Sequence, residues 1–177
     1  MRLGVISDTH GRVHTRVLEL FAGVERILHA GDVGSEDVLA MLETVAPVTA
    51  VRGNTDHYPG ALRLPEEARV DIDGIRILIV HDGSRWLAEQ DEAQRAVLDV
   101  LVSGHTHLPT AETFAGLLQL NPGRRAVQGP DACPRWRFWR SRADVRRRAS
   151  CRSGKRGASR RPGAVVRPRR RLPQEPW

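Results

Sequence analysis

Five short motifs carry side chains able to bind metal, in this order: Asp8-Thr9-His10, Gly31-Asp32, Gly53-Asn54, His81-Asp82 and Gly104-His105-Thr106-His107. Asp82 aside, they supply four imidazoles, two carboxylates and one amide oxygen. That set suits two adjacent divalent cations and implies hydrolysis of phosphate esters. Mixed nitrogen and oxygen donors fit manganese, iron, zinc or nickel better than calcium, which prefers oxygen alone. No single piece decides the matter. A lone Gly-Asp or Gly-Asn is usually just a turn, and a lone Asp-x-His is nearly as weak. Gly-His-Thr-His is sharper, because two imidazoles two residues apart in a Gly-led turn have few structural reasons to exist.

Each motif ends an apolar run, and those runs must position it. Leu3 to Ser7 precedes Asp8 and His10, and Arg26 to Ala30 precedes Asp32. Val48 to Arg52 precedes Asn54, Ile75 to Val80 precedes His81, and Asp99 to Ser103 precedes His105 and His107. Short runs rich in Val and Ile, stopped by Gly, predict strands. In open α/β sheets, ligands bind outside the carboxyl ends of strands, which is where all five motifs fall. Gly31, Gly53 and Gly104 let the chain turn sharply there.

Helical spacing predicts a helix over Val13 to Val24. A second is predicted from Ser35 as N-cap, with an acidic first turn and Pro47 beyond its end. Ala88 to Val97 predicts a third. Alternating strands and helices imply crossovers and a largely parallel sheet. Two hairpins break that pattern, one through Asp73-Gly74 and one through Ala115-Gly116, so a second, mixed sheet is expected.

In these residues the chain resembles the calcineurin-like metallophosphoesterase superfamily, and within it the small bacterial and archaeal phosphodiesterase branch. The resemblance runs from Met1 to about Gly123. It includes Ser7-Asp8-Thr9-His10-Gly11, Gly31-Asp32, Gly53-Asn54-Thr55-Asp56, His81-Asp82, Gly104-His105-Thr106-His107 and Asn121-Pro122-Gly123. It implies a four-layer α-β-β-α sandwich of two mixed sheets. It assigns Asp8, His10 and His107 to one metal ion and Asn54, His81 and His105 to a second, with Asp32 bridging both. Manganese is the expected ion, with nickel, iron or zinc as alternatives.

The implied activity is that of a phosphodiesterase. Two ions about 3.5–4 Å apart share Asp32 and a hydroxide that attacks phosphorus. Asp32, Asn54, His105 and Asp56 are the expected catalytic residues, Asp56 as a brace for Asn54 or a ligand histidine. Asp82 is a candidate for a similar role. Many superfamily members carry His after the Gly-Asn, where it contacts phosphate. Here Thr55 stands, which agrees with the small phosphodiesterase branch in lacking that imidazole, although Cys is its usual residue. Leaving-group protonation then lacks an obvious donor, and His57 is the nearby candidate. Otherwise His57 is a loop histidine, His14 a helix-surface one and His29 a strand-end one. Tyr58 to Leu64 and Ser84 to Glu89 are candidate walls of a substrate pocket.

The +7 charge of the 177-residue chain hides a break near Gly123. Through Gly123 there are 10 Lys and Arg against 18 Asp and Glu, a net of −8; beyond it there are 18 against 3, a net of +15. All seven histidines lie before the break, and Cys133 and Cys151 after it. These cysteines lack close metal spacing, so neither a disulfide nor a metal clip is expected. We therefore expect a catalytic domain over 1–123, family-like to 134, and an Arg/Pro-rich tail over 135–177. The tail scarcely shows apolar periodicity, and its composition predicts disorder. Arg2 leads straight into a strand, with no signal peptide, and no apolar stretch reaches the ~20 residues of a membrane span. The expected location is cytoplasmic, with no membrane partner; homo-oligomerisation is left open.

The tail has two readings. Arg135-Trp136-Arg137-Phe138-Trp139-Arg140 interleaves cations with aromatics, as a nucleic-acid-binding tail would. The other reading is a shifted frame. One permitted coding of Pro134 to Arg142 is CCT CGG TGG CGC TTC TGG AGG TCG AGG, and from its third base it reads Ser-Val-Ala-Leu-Leu-Glu-Val-Glu. That resembles the strand with which family members continue, so we favour the frameshift, with the last strands of the sandwich missing or scrambled. The leading function is a dinuclear metal phosphodiesterase acting on a small phosphodiester. The alternatives are a non-catalytic metal-binding scaffold, or a phosphoesterase whose basic tail recruits nucleic acid.

Overall fold

The first three apolar runs form one sheet, with apolar clusters packed on both of its faces. In the computed structural model, which describes residues 1–123, β1 (Leu3–Ile6), β2 (Arg26–His29) and β3 (Val48–Ala50) lie in the order β1-β2-β3. Both pairings are parallel, with Val5 opposite Leu28 and Leu28 opposite Thr49. The crossovers are α1 (Thr15–Leu20) and α2 (Glu36–Glu43). Leu3, Val5, Leu28 and Ala30 face the second sheet, whereas Ile6 and Ile27 face Val17, Phe21, Val38 and Leu42 of the helical layer. A parallel strand covered on both faces reads as a continuous apolar run rather than an alternating one.

The second sheet has the order β4-β5-β6-β8-β7, after a short 3-10 turn over Pro59–Arg63. Its strands are β4 (Glu67–Ile72), β5 (Ile75–Val80), β6 (Val100–Val102), β7 (Thr110–Phe114) and β8 (Leu117–Asn121). The β4/β5 and β7/β8 hairpins are antiparallel, and β5/β6 and β6/β8 are parallel. Ile75, Ile77, Ile79, Val100, Val102, Leu118 and Leu120 point at the first sheet. Leu78, Val80 and Leu101 point outward onto Trp86 and Leu98. Two sheets face to face with helices outside give the expected four layers. Truncating a fully buried member of the central layer, such as Ile77 to Ala, costs about 2–5 kcal/mol.

Among the described residues the first sheet contains only parallel pairs, and antiparallel pairing is confined to the second. Both hairpins turn where expected. Asp73 and Gly74 have φ of 53° and 72°, and Ala115 and Gly116 have 47° and 84°. Such left-handed pairs match the twist of the flanking strands.

The helices also differ in detail. The first spans Thr15–Leu20 rather than Val13 to Val24, because the chain turns at Gly23 with φ 75°. His14 is its N-cap and accepts from the Arg16 N–H at 3.1 Å. Ser35 holds the N-cap position of α2, but its side chain makes no capping bond. The single helix expected over Ala88 to Val97 is two: α3 (Gly83–Glu89) and α4 (Glu92–Ala96). Asp91 divides them. Its carboxylate accepts from the Gln94 N–H at 2.7 Å, and the Gln94 side chain accepts from the Asp91 N–H at 3.0 Å. That capping box starts a new helix. Among the described residues no helix is long and apolar enough to cross a membrane. The expectations for the cysteines, the tail and the last strands lie outside the described residues.

Candidate metal centre

The loops leaving β1 and β2 are stitched together before any side chain is considered. Backbone N–H groups of Asp8, His10 and Gly11 donate to the carbonyls of Gly31, Asp32 and Val33 at 3.0, 2.9 and 2.7 Å. This extends the parallel sheet past its last paired residues and aligns Asp8 and His10 with Asp32. The loop after β3 joins through Asp32, whose Oδ1 accepts the Thr55 N–H at 2.9 Å. Asp56, almost fully buried, accepts from the N–H of Gly34 at 2.7 Å and of Gly53 at 2.8 Å. Its carboxylate thus clamps two loop backbones, one of them next to Asn54, the first of the two partners expected for it.

The turn after β6 is held from two sides. Its His105 N–H donates to Asp8 Oδ1 at 3.2 Å, and its Gly104 N–H to the His81 carbonyl at 3.0 Å. Asn121, at the end of β8, donates from Nδ2 to the Gly104 carbonyl at 2.6 Å and to Thr106 Oγ1 at 3.1 Å. Its Oδ1 accepts the Gly123 N–H at 2.8 Å. The Asn-Pro-Gly motif therefore braces the Gly-His-Thr-His turn.

All seven residues named as ligands meet at this junction. Asp8, His10 and His107 form one group able to hold a metal ion, and Asp8, Asp32 and His81 another. His107 Nε2 stands 3.2 Å from Asp8 Oδ1, and His81 Nε2 stands 3.5 Å from Asp32 Oδ2. Asn54 Oδ1 faces His81 Nε2 at 2.9 Å and His105 Nδ1 at 3.0 Å. Asp8, His10, Asp32, His105 and His107 all have positive φ, between 47° and 66°. That region costs on the order of 1 kcal/mol for a residue with Cβ, although Asp and His enter it more readily than most. Strain concentrated on five neighbouring side chains of one chemistry points to function.

The donor set fits cations on its own geometry. His81 Nδ1 lies 2.8 Å from the Ala30 carbonyl, so it carries the proton and donates. A neutral imidazole then presents a bare lone pair at Nε2. That nitrogen faces the oxygens of Asn54 and Asp32, so three potential ligand atoms converge there. Asp8 Oδ2 and His10 Nε2 are buried without any hydrogen-bond partner. Buried acceptors left unanswered are costly, and a cation answers all of them. Close packing keeps the ring of His81 there: a Cβ on Gly31, whose φ is 83°, would come within 2.6 Å of Nδ1.

Other predicted residues fall around this centre. Thr55 Oγ1 lies 3.4 Å from His10 Nδ1. Asp82 caps α3 by accepting the Arg85 N–H at 3.0 Å, and its Oδ2 lies 3.9 Å from His105 Nε2. A cleft of about 810 Å³ opens beside Asn54 and His81, with exposed His57 and Leu62 on one side and Arg85, Trp86 and Glu89 on the other. Both predicted wall segments contribute to it. His29, expected as a strand-end histidine, is fully buried and 2.9 Å from Thr9 Oγ1. Burial above all, with His81 nearby, pushes its pKa down to about 3, against a smaller upward pull from Asp32. The signal was available, since its place in β2 alternates with Leu28, which faces the second sheet.

The calcineurin-like phosphoesterase superfamily domain matches residues 1–133. A probable metallophosphoesterase of Methanothermobacter thermautotrophicus is 38% identical over 136 residues, covering 72% of this chain and 78% of its own. The solved structure of Yfce, a phosphoesterase from E. coli, superposes with a TM-score of 0.60 at 29% identity, covering 78% and 87% of the two chains. Vacuolar Protein Sorting 29 from Cryptosporidium parvum gives 0.58 at 27% identity, covering 70% and 74%. These likenesses, together with the ordered motifs and the four layers, lead to one conclusion: the chain belongs to the calcineurin-like phosphoesterase superfamily.

Proposed function

We propose that the chain is a phosphodiesterase dependent on two divalent cations, with manganese as the ion. Asp8, His10 and His107 would hold one, Asn54, His81 and His105 the other, and Asp32 would serve both. The observation that carries this reading is the convergence of His81 Nε2, Asn54 Oδ1 and Asp32 Oδ2. When bound, such ions bring the pKa of water toward neutrality and offset charge on phosphate oxygens.

The chain's own residues do the rest. Asp32 is held by the Thr55 N–H, so its carboxylate stays aimed between the two groups of donors. Asp56 keeps the Asn54 loop against the β2 loop. The cleft beside Asn54 has room for a second alcohol on phosphorus, which favours a diester over a monoester. Thr55 supplies a neutral hydroxyl where an imidazole would grip a dianionic monoester. His57, on the cleft wall, is the candidate to protonate the leaving alcohol.

With manganese or nickel added, the protein should hydrolyse a simple aryl phosphodiester faster than the matching monoester. Chelator-insensitive turnover, or none with any divalent metal in a folded sample, rejects the reading. A clear monoester preference rejects only the subclass. The second reading is a non-catalytic scaffold, favoured by the likeness to a protein named for vacuolar sorting. Metal binding without turnover would select it.

A further inference from the structure

We propose that His29 is a positioning residue: its Nε2 donates to the Thr9 hydroxyl and pins the loop carrying Asp8 and His10 to the loop carrying Asp32. The inference rests on the proposed reading of those three side chains as metal ligands.

The hydrogen bonds assign the direction. Thr9 Oγ1 lies 2.9 Å from His29 Nε2, 2.9 Å from the Val33 carbonyl and 3.4 Å from the Asp32 carbonyl. A carbonyl only accepts, and a hydroxyl has one proton to give. That proton goes to Val33, so the Thr9 oxygen must accept, and His29 Nε2 must donate. The ring is therefore neutral with its proton on Nε2, which leaves Nδ1 as the atom without a partner. The reverse tautomer would strand a buried N–H and leave the Val33 carbonyl without the hydroxyl, which is worse.

The consequence reaches the centre through Thr9 alone. Thr9 sits between Asp8 and His10, both in left-handed backbone conformation, as is Asp32. Such backbone relaxes unless its surroundings over-determine it. Three main-chain bonds join the two loops. The Thr9 hydroxyl adds the side-chain link, and His29 fixes that hydroxyl from the floor of β2. An apolar side chain would fill the same space without an unpaired nitrogen, so packing alone does not explain an imidazole there.

The test uses His29→Gln, His29→Asn, His29→Leu and Thr9→Val in the full chain. Glutamine places an N–H donor near the position of Nε2; asparagine and leucine do not. Manganese affinity is measured by calorimetry, and exchange of the His10 and Gly11 amide protons by NMR. Loss of a hydrogen bond behind metal ligands typically weakens binding about 10–100-fold. His29→Gln should stay within about threefold of the parent, whereas His29→Asn, His29→Leu and Thr9→Val should each weaken binding about tenfold or more. The same three should exchange the two amides faster at unchanged global stability. Combining His29→Leu with Thr9→Val should add little to either alone, because both remove one bond. Parent-like affinity and exchange in Thr9→Val, which keeps the side chain's shape, would overturn the pin. So would a His29→Gln variant as damaged as His29→Leu. If the parent chain bound no divalent cation, the proposed function would fall, and the amide exchange rates would still accept or reject the pin.

Discussion

The imidazole of His107 lies 3.2 Å from the carboxylate of Asp8, whose other oxygen is buried with no partner at all. Without a cation, that buried oxygen is left unanswered. Asp8→Asn should therefore bind one equivalent of metal fewer. In chelator it should melt about 2–4 °C higher than the parent, the shift expected from relieving roughly 1 kcal/mol. Metal analysis and calorimetric melting of the two proteins test this. A lower melting temperature in chelator would show that the carboxylate is already satisfied.

Asp32→Ala should be the most damaging ligand change. Its two oxygens face the Thr55 N–H on one side and His81 and His10 on the other. Removing it deletes the carboxylate that the proposed function places between both metal ions, and activity should drop by about three orders of magnitude or more. His57→Ala should cost roughly tenfold or less unless it is the leaving-group acid, in which case about 100-fold or more is expected. Two full equivalents of metal retained by Asp32→Ala would contradict its place between the ions.

Gly53→Ala should disable the centre from outside the ligand set. A Cβ at Gly53 would collide with the side-chain oxygen and the backbone nitrogen of Asp32, neither of which can swing away. The Asn54 loop must then shift. A displacement of about 1 Å at reacting groups can cost on the order of 100-fold in rate. Gly116→Ala is the control: it too adds a Cβ at a glycine, but into open space far from the motifs. It should cost stability, because its φ is 84°, and leave kcat/KM alone. Equal activity losses in the two variants would refute the collision argument.

Acid should destabilise the fold through His29. Its folded pKa is lowered to about 3, mainly by burial. The unfolded chain takes up a proton below its ordinary value near 6.5, and the folded chain does not until about 3. The unfolded state therefore binds more protons across that window. This contribution is complete above it and is lost as pH falls, by about 1.4 kcal/mol per pH unit at most. Between pH 7 and pH 5 the parent should lose about 2 kcal/mol more than His29→Gln, which cannot titrate. Urea unfolding of both proteins at the two pH values supplies the comparison, and parallel losses would remove His29 as the cause.

Much of the site was legible because its signals are local. A run such as Ile75 to Val80 marks a strand by composition alone, and the ligand-bearing residue follows it directly. The two hairpins were equally readable, since Asp73-Gly74 and Ala115-Gly116 bring their own backbone preference. The Asp91-to-Gln94 capping box is also written in the chain, inside the span whose composition predicts one longer helix. It starts α4 and leaves α3 as a separate helix, whose residues Arg85, Trp86 and Glu89 line the cleft.

The order of motifs, the apolar runs and the donor chemistry belong to the sequence by itself, because each depends on a few consecutive residues. Only the tertiary structure decided what those residues meet. The left-handed φ of Asp8 and Asp32 exists because loops from different strands are hydrogen-bonded to one another. Asp56 clamps backbone amides of Gly34 and Gly53, a pairing that no local spacing announces. His29 becomes a neutral, buried donor only once a second sheet and a helical layer close over β2. Desolvation is a property of the packed layers, and it sets what each polar side chain can do.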